Sequence, residues 1–153
     1  MQIRLTKRSL RAELACRRAD GSHTSARLGP GLPFHDLAHF VVERQCGLRR
    51  GFFGNIAAGY ALDELADKAV IRALGAESWT AEVLARALGS LATGACTPEG
   101  FCGLVEAELD TLRLPRPEIL SASLAASMQT ELQALVGRYN ALPCGESLRL
   151  EFE

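Results

Sequence analysis

The sequence predicts an α+β fold: a small antiparallel sheet, built from an N-terminal hairpin and a C-terminal strand, packed with about five α-helices. Three observations carry this. Both ends of the chain alternate apolar and polar residues with the period of two that a half-wet sheet requires. Between Pro33 and Tyr139 the apolar residues recur at helical spacing, and glycines and prolines punctuate them. Leu (24) and Ala (23) are the commonest residues, and both are strong helix formers. The 153 residues suit a single domain over 1–153, with 1–31 mostly strands, 32–142 helical and 146–153 a final strand.

The elements follow in order. Ile3 and Leu5 alternate with Gln2, Arg4 and Thr6, and Leu10, Ala12, Leu14 and Cys16 with Arg11, Glu13, Ala15 and Arg17. Asp20-Gly21 signals a hairpin turn, so His23 to Leu28 is the returning strand. The run Leu28-Gly-Pro-Gly-Leu-Pro33 closes the sheet region. A first helix runs from Pro33, suited to the first helical position, to Cys46, with Gly47 as its stop. After a glycine-rich joint, Gly47-Leu-Arg-Arg-Gly51-Phe-Phe-Gly54, a second helix covers 55–74 and ends at Gly75. A third starts near Ser78 or Thr80 and ends near Leu91. Thr97-Pro98-Glu99 opens a fourth with a capping hydroxyl, proline at N1 and an acid in the first turn; it stops before Pro115. The fifth runs from near Pro117 to Tyr139, and Pro143-Cys-Gly145 breaks it. Leu148, Leu150 and Phe152 then alternate with Arg149, Glu151 and Glu153, a last strand able to join the first sheet.

Apolar residues make up 48% and charged residues 23%, which excludes a disordered or collagen-like chain. The net charge of −1 gives no overall pull toward nucleic acid or membrane, and neither is an expected partner. Residues 1–50 carry a balance of +6 and residues 51–153 one of −7, so the two halves are expected to pack with complementary charge. The five cysteines, Cys16, Cys46, Cys96, Cys102 and Cys144, include no C-x-x-C pair, which argues against a disulfide framework or zinc knuckle. Free thiols and the absence of an apolar run suited to a signal peptide or a bilayer span make the cytoplasm the expected address.

The most informative stretch is Pro33-Phe-His35-Asp36-Leu-Ala-His39-Phe-Val-Val-Glu43. With His35 set at zero on a helix, His39 falls at about 40°, Glu43 at about 80° and Asp36 at about 100°, while Phe34, Leu37, Ala38, Val41 and Val42 occupy roughly 200° to 340°. One stripe therefore holds two imidazoles and two carboxylates opposite an apolar face. Histidines at i and i+4 can reach one metal ion, and a neighbouring carboxylate can add a ligand or act as a base. A solvent-facing helix shows the same two stripes. Further ligands can come from Asp63 and Asp67, at i,i+4 on the second helix, if the glycine joint folds the two helices together. Alternatively those acids are solvated and Glu64 pairs with Lys68.

The run P-x-H-D-L-A-H-x-V-V-E, followed by G-L-R-R-G-F-F-G and A-A-G, resembles small uncharacterised bacterial proteins that share such a block over about residues 32–60; no activity comes with that likeness. More locally, His35, Asp36 and His39 resemble the H-D-x-x-H motif of a coenzyme Q biosynthesis family thought to bind zinc. That family carries an acid about a dozen residues later. Gly51 stands there in this chain, with Glu43 earlier and Asp63 later.

Gly47, Gly51, Gly54 and Gly59 are followed by no Lys-Ser/Thr, so they serve a tight turn and close packing rather than a phosphate loop. Arg49 and Arg50 beside Phe52 and Phe53 can contact an anion or a partner, or the two Phe residues anchor the second helix in the core. Trp79 reads as a packing anchor at a helix start.

Two functions are consistent with these features. The first is a self-associating interaction or accessory domain, a homodimer formed through the helices or through a sheet edge at Gln2–Thr6 or Leu148–Phe152. The second is a metal-binding domain, or a metal-dependent enzyme, that holds a divalent ion such as zinc with His35, His39 and a carboxylate.

Overall fold

A computed structural model describes residues 1–29 and 32–153. The alternation at the two ends of the chain becomes one antiparallel sheet of four strands: β1 (Gln2–Lys7), β2 (Ala12–Arg17), β3 (His23–Leu28) and β4 (Ser147–Glu151), in the order β3-β2-β1-β4. Ile3 lies between Cys16 and Leu150, and Leu5 between Leu14 and Leu148. Stacking these apolar residues in register gives the sheet one buried face, and that face fixes the register. Because β1 is paired on both sides, Gln2–Thr6 is not an edge; its backbone groups are spent on β2 and β4. The outer strands are β3 and β4. Leu10, expected to continue the alternation, lies in the bend between β1 and β2 and is 89% exposed.

Six helices accompany the sheet: α1 (Leu32–Cys46), α2 (Phe52–Ala57), α3 (Lys68–Ala73), α4 (Ala76–Ala92), α5 (Pro98–Leu112) and α6 (Ala122–Ala141). Thr97 caps α5 by accepting the Gly100 N–H at 3.1 Å, with Pro98 at the first helical position. α6 starts later than Pro117 because Ser121 supplies the stronger start, its hydroxyl accepting the Leu124 N–H. α1 packs on α4 and α6, and α5 on the same two helices. Leu37 and Val41 of α1, Leu84 and Leu88 of α4, and Met128 and Leu132 of α6 share one buried cluster with the sheet's inner face. No helix among the described residues is long and apolar enough to cross a membrane.

The single helix expected over 55–74 is instead three short pieces: α2, a 3-10 turn at Glu64–Ala66, and α3. Gly59 takes φ +118°, a backbone state that a helix cannot continue through. The Arg18 guanidinium donates to the carbonyls of Ile56 and Tyr60, each at 2.6 Å, and so satisfies the end of α2 from outside. Asp63 and Asp67 accept the N–H groups of Glu64 and Ala69 and start the next two pieces. Leu62 and Leu65 still reach the core, so the apolar spacing of a helix is met by a folded loop.

Two glycines of the joint are required by close approach. A Cβ at Gly51 would overlap the carboxyl group of Glu43, and one at Gly54 would overlap the carbonyl of Arg49. Gly103 and Gly137, inside α5 and α6, have open space instead. Gly51→Ala and Gly54→Ala are each expected to lower stability by about 1–3 kcal/mol through overpacking. Gly103→Ala and Gly137→Ala are expected to raise it by about 0.5–1 kcal/mol. Urea unfolding midpoints of the four variants check both signs.

Candidate metal centre

The polar stripe of α1 does not face open solvent. It turns toward α2 and α4, leaving Asp36, His39 and Glu43 only 6%, 5% and 1% exposed. Glu43 sits deepest. Its Oε1 accepts the N–H of Phe53 at 3.2 Å and its Oε2 the N–H of Gly54 at 2.9 Å, both in the first turn of α2, where backbone donors have no helical partner. The same carboxylate lies 3.3 Å from Nδ1 of His39, one helical turn earlier. Glu43 therefore stands behind the imidazole at ion-pair distance, outside hydrogen-bond geometry at Nδ1, and does not join the metal-competent face of the ring.

That face is completed from α4. His39 Nε2 lies 3.2 Å from His35 Nε2 and 3.1 Å from Glu82 Oε2, and His35 Nε2 lies 3.5 Å from the same Glu82 oxygen. Among the described residues, His35, His39 and Glu82 form the group of ligand atoms close enough to share one ion. The two imidazoles meet edge to face, with centroids 4.7 Å apart. His35 and Glu82 are half-buried and His39 is enclosed.

The electrostatics centre on a positive charge. Burial pushes the pKa of His39 down, but the carboxylates of Glu43 and Glu82 outweigh it and raise the value to about 9. His35 and His39 hold the Glu82 carboxyl well below the usual carboxylate range. Asp36 lies beside the trio without belonging to the group of ligand atoms. Burial pushes its carboxyl up to about 6, against the pull of His39 and His35, and its Oδ2 is buried without a hydrogen-bond partner.

Of the residues singled out in the sequence, His35 and His39 converge, Glu43 supports His39, and Asp36 lies beside them. Asp63 and Asp67 do not reach the cluster. They are exposed and cap the short pieces after α2. Arg49 and Arg50 present backbone N–H groups to the Glu77 carboxylate, and the Arg49 guanidinium donates to the carbonyl of Glu153. Phe53 is buried against Phe40 and Phe152, with ring centroids 6.2 and 6.0 Å away, while Phe52 leans on His39 at 5.5 Å. Sequence reasoning missed Glu82. In the sequence it reads as half of an ordinary i,i+4 pair with Arg86, a contact that does form, at 3.4 Å.

Above His39 and Glu82 opens a cleft of about 440 Å³. Its apolar wall is Phe52, Leu65, Ile71, Leu74 and Trp79, so the expected packing anchor Trp79 stands at a cavity. No protein-family model matches the chain, and neither a curated protein nor a solved structure is significantly similar to it.

Removing the buried carboxylate orphans two backbone donors and takes away the negative charge beside the His39 imidazole. Glu43→Ala is expected to cost about 3–5 kcal/mol of unfolding free energy. Glu43→Gln, which keeps one acceptor, is expected to cost about 1–3 kcal/mol. Thermal and urea unfolding read both.

Proposed function

We propose that this protein binds a divalent transition-metal ion through His35, His39 and Glu82, with the open side of the ion toward the cleft. The observation that carries the reading is the set of three separations, 3.2, 3.1 and 3.5 Å, between the two Nε2 atoms and one Oε2. Ligand atoms about 2.0–2.1 Å from a tetrahedral zinc stand roughly 3.3 Å apart. The three cis positions of a six-coordinate ion have similar spacing, so the class is zinc or a neighbouring first-row ion.

Two further features support it. A ligating histidine usually has its other ring nitrogen beside a carboxylate, a backbone carbonyl or water, and the Glu43 carboxylate lies 3.3 Å from Nδ1 of His39. The enclosed His39 between two carboxylates also favours a positive charge, which a proton or a metal ion can supply. Three protein ligands leave a coordination position free, as in catalytic rather than purely structural zinc sites. An ion so held supplies a Lewis acid or an activated water, and the proposal extends to a metal-dependent enzyme.

Support for a self-associating domain is thinner. It rests on the unpaired outer side of β4, which includes most of Leu148–Phe152.

Tag-free protein is expected to take up about one zinc per chain with saturable heat in calorimetry. The His35→Ala/His39→Ala double variant is expected to lose that uptake, and Glu82→Gln to weaken it by about tenfold or more. Uptake near neutral pH is expected to release about one proton, because the ion displaces the His39 proton; the heat then varies with the ionisation enthalpy of the buffer. No uptake above background, or uptake unchanged in the double variant, removes the proposal.

A further inference from the structure

We infer that the solvent-facing side of the sheet is a binding site for a small non-aromatic molecule carrying two phosphate groups. The site lies on the sheet face away from the core and shares no residue with the metal ligands.

The strand register sets arginines side by side on that face. Arg4 of β1 stands directly opposite Arg149 of β4, with Ala15 of β2 opposite it on the other side. Arg17 of β2 is opposite Gln2, two residues from Arg4 along the same face. Directly opposed residues have Cβ atoms about 4.5–5.5 Å apart and diagonal ones about 7–8 Å, so three long guanidinium side chains share one neighbourhood. Like charges directly opposite destabilise a sheet. The Arg4–Arg149 juxtaposition therefore carries a cost that an anion between them removes.

The neighbouring acids do not compensate these arginines. The arginines that form ion pairs are Arg8, Arg44, Arg86 and Arg116. Among the described residues, Arg4, Arg17 and Arg149 have no such partner, and all three are exposed. Glu13, one row along the face and opposite Arg27, is engaged by Arg8 at 2.8 Å. Glu151 is the carboxylate that lines the same hollow as the three arginines. Four guanidiniums (Arg4, Arg17, Arg27 and Arg149) less one carboxylate leave a surplus of three positive charges.

The hollow has room for more than a single ion. Its volume, about 860 Å³, lies within the roughly 300–1,000 Å³ typical of small-molecule sites. Ala15 and Gly21, with little or no side chain, leave the space between the arginines open. Arg17 and Arg149 stand on the strands either side of β1, so their backbones are about 9 Å or more apart. A guanidinium fork matches phosphate oxygens bidentately. Each phosphate monoester carries about −1.5 to −2 near neutral pH, so two of them match the surplus, one over the Arg4–Arg149 pair and one at Arg17. No Phe, Tyr or Trp lines the hollow, so it lacks the stacking platform of single-stranded nucleic-acid sites.

Calorimetric titration of the full chain, with no divalent ion added, compares fructose 1,6-bisphosphate, fructose 6-phosphate and a short single-stranded oligouridylate. The bisphosphate is expected to bind saturably, about tenfold or more tighter than the monophosphate, and to weaken as salt rises. Arg4→Gln/Arg149→Gln is expected to weaken it by about tenfold or more. Bisphosphate binding no tighter than monophosphate, oligouridylate binding tighter than either, binding unchanged in the double variant, or no saturable heat overturns the inference. The probe series on the unaltered chain decides this even if the variant does not fold.

Discussion

Glu43 is a buried carboxylate, and much of the site geometry follows from the need to neutralise it. A lone charge in a protein interior costs several kcal/mol even after relaxation, so it persists only when donors and opposite charge surround it. Here the first turn of α2 provides two N–H groups and His39 provides the nearby imidazole. Those contacts set where α2 begins, hold α1 to the glycine joint, and turn the free nitrogen of His39 toward α4. Glu82 meets it there, 43 residues further along the chain.

α1 consequently has two inward faces of different chemistry. Its apolar side packs into the common core with the sheet and α6, and its polar side packs against α2 and α4. The opposite charges of the two halves of the sequence are joined in part: Arg44 meets Glu131 at 3.2 Å, and the histidines meet Glu82. Other ion pairs, Arg8 with Glu13 and Arg116 with Asp110, stay within one half and lie in or near solvent, where each is worth little.

What the sequence discloses is local chemistry. Period-two alternation identifies the strands, and Thr97-Pro98 and Gly47 mark helix ends, because each depends on residues a few positions apart. The break between 55 and 74 is hidden because its cause is Arg18, on a different strand end, reaching across to the carbonyls of Ile56 and Tyr60. The His35–His39 pairing is legible from the i,i+4 spacing alone. Its partner Glu82 is not, since nothing near position 82 distinguishes it from a solvated acid on the outside of α4. Asp63 and Asp67 mislead for the opposite reason: their spacing is right for a helix that the chain does not form there.

The fit of the Glu43 carboxyl group into the space beside Gly51 has an evolutionary corollary. The two positions share one small volume, so a side chain at 51 collides with Glu43 as it stands. A descendant with a side chain at 51 must first shorten residue 43, and would then forfeit the brace behind the imidazole. Related chains should accordingly show glycine at 51 wherever glutamate stands at 43.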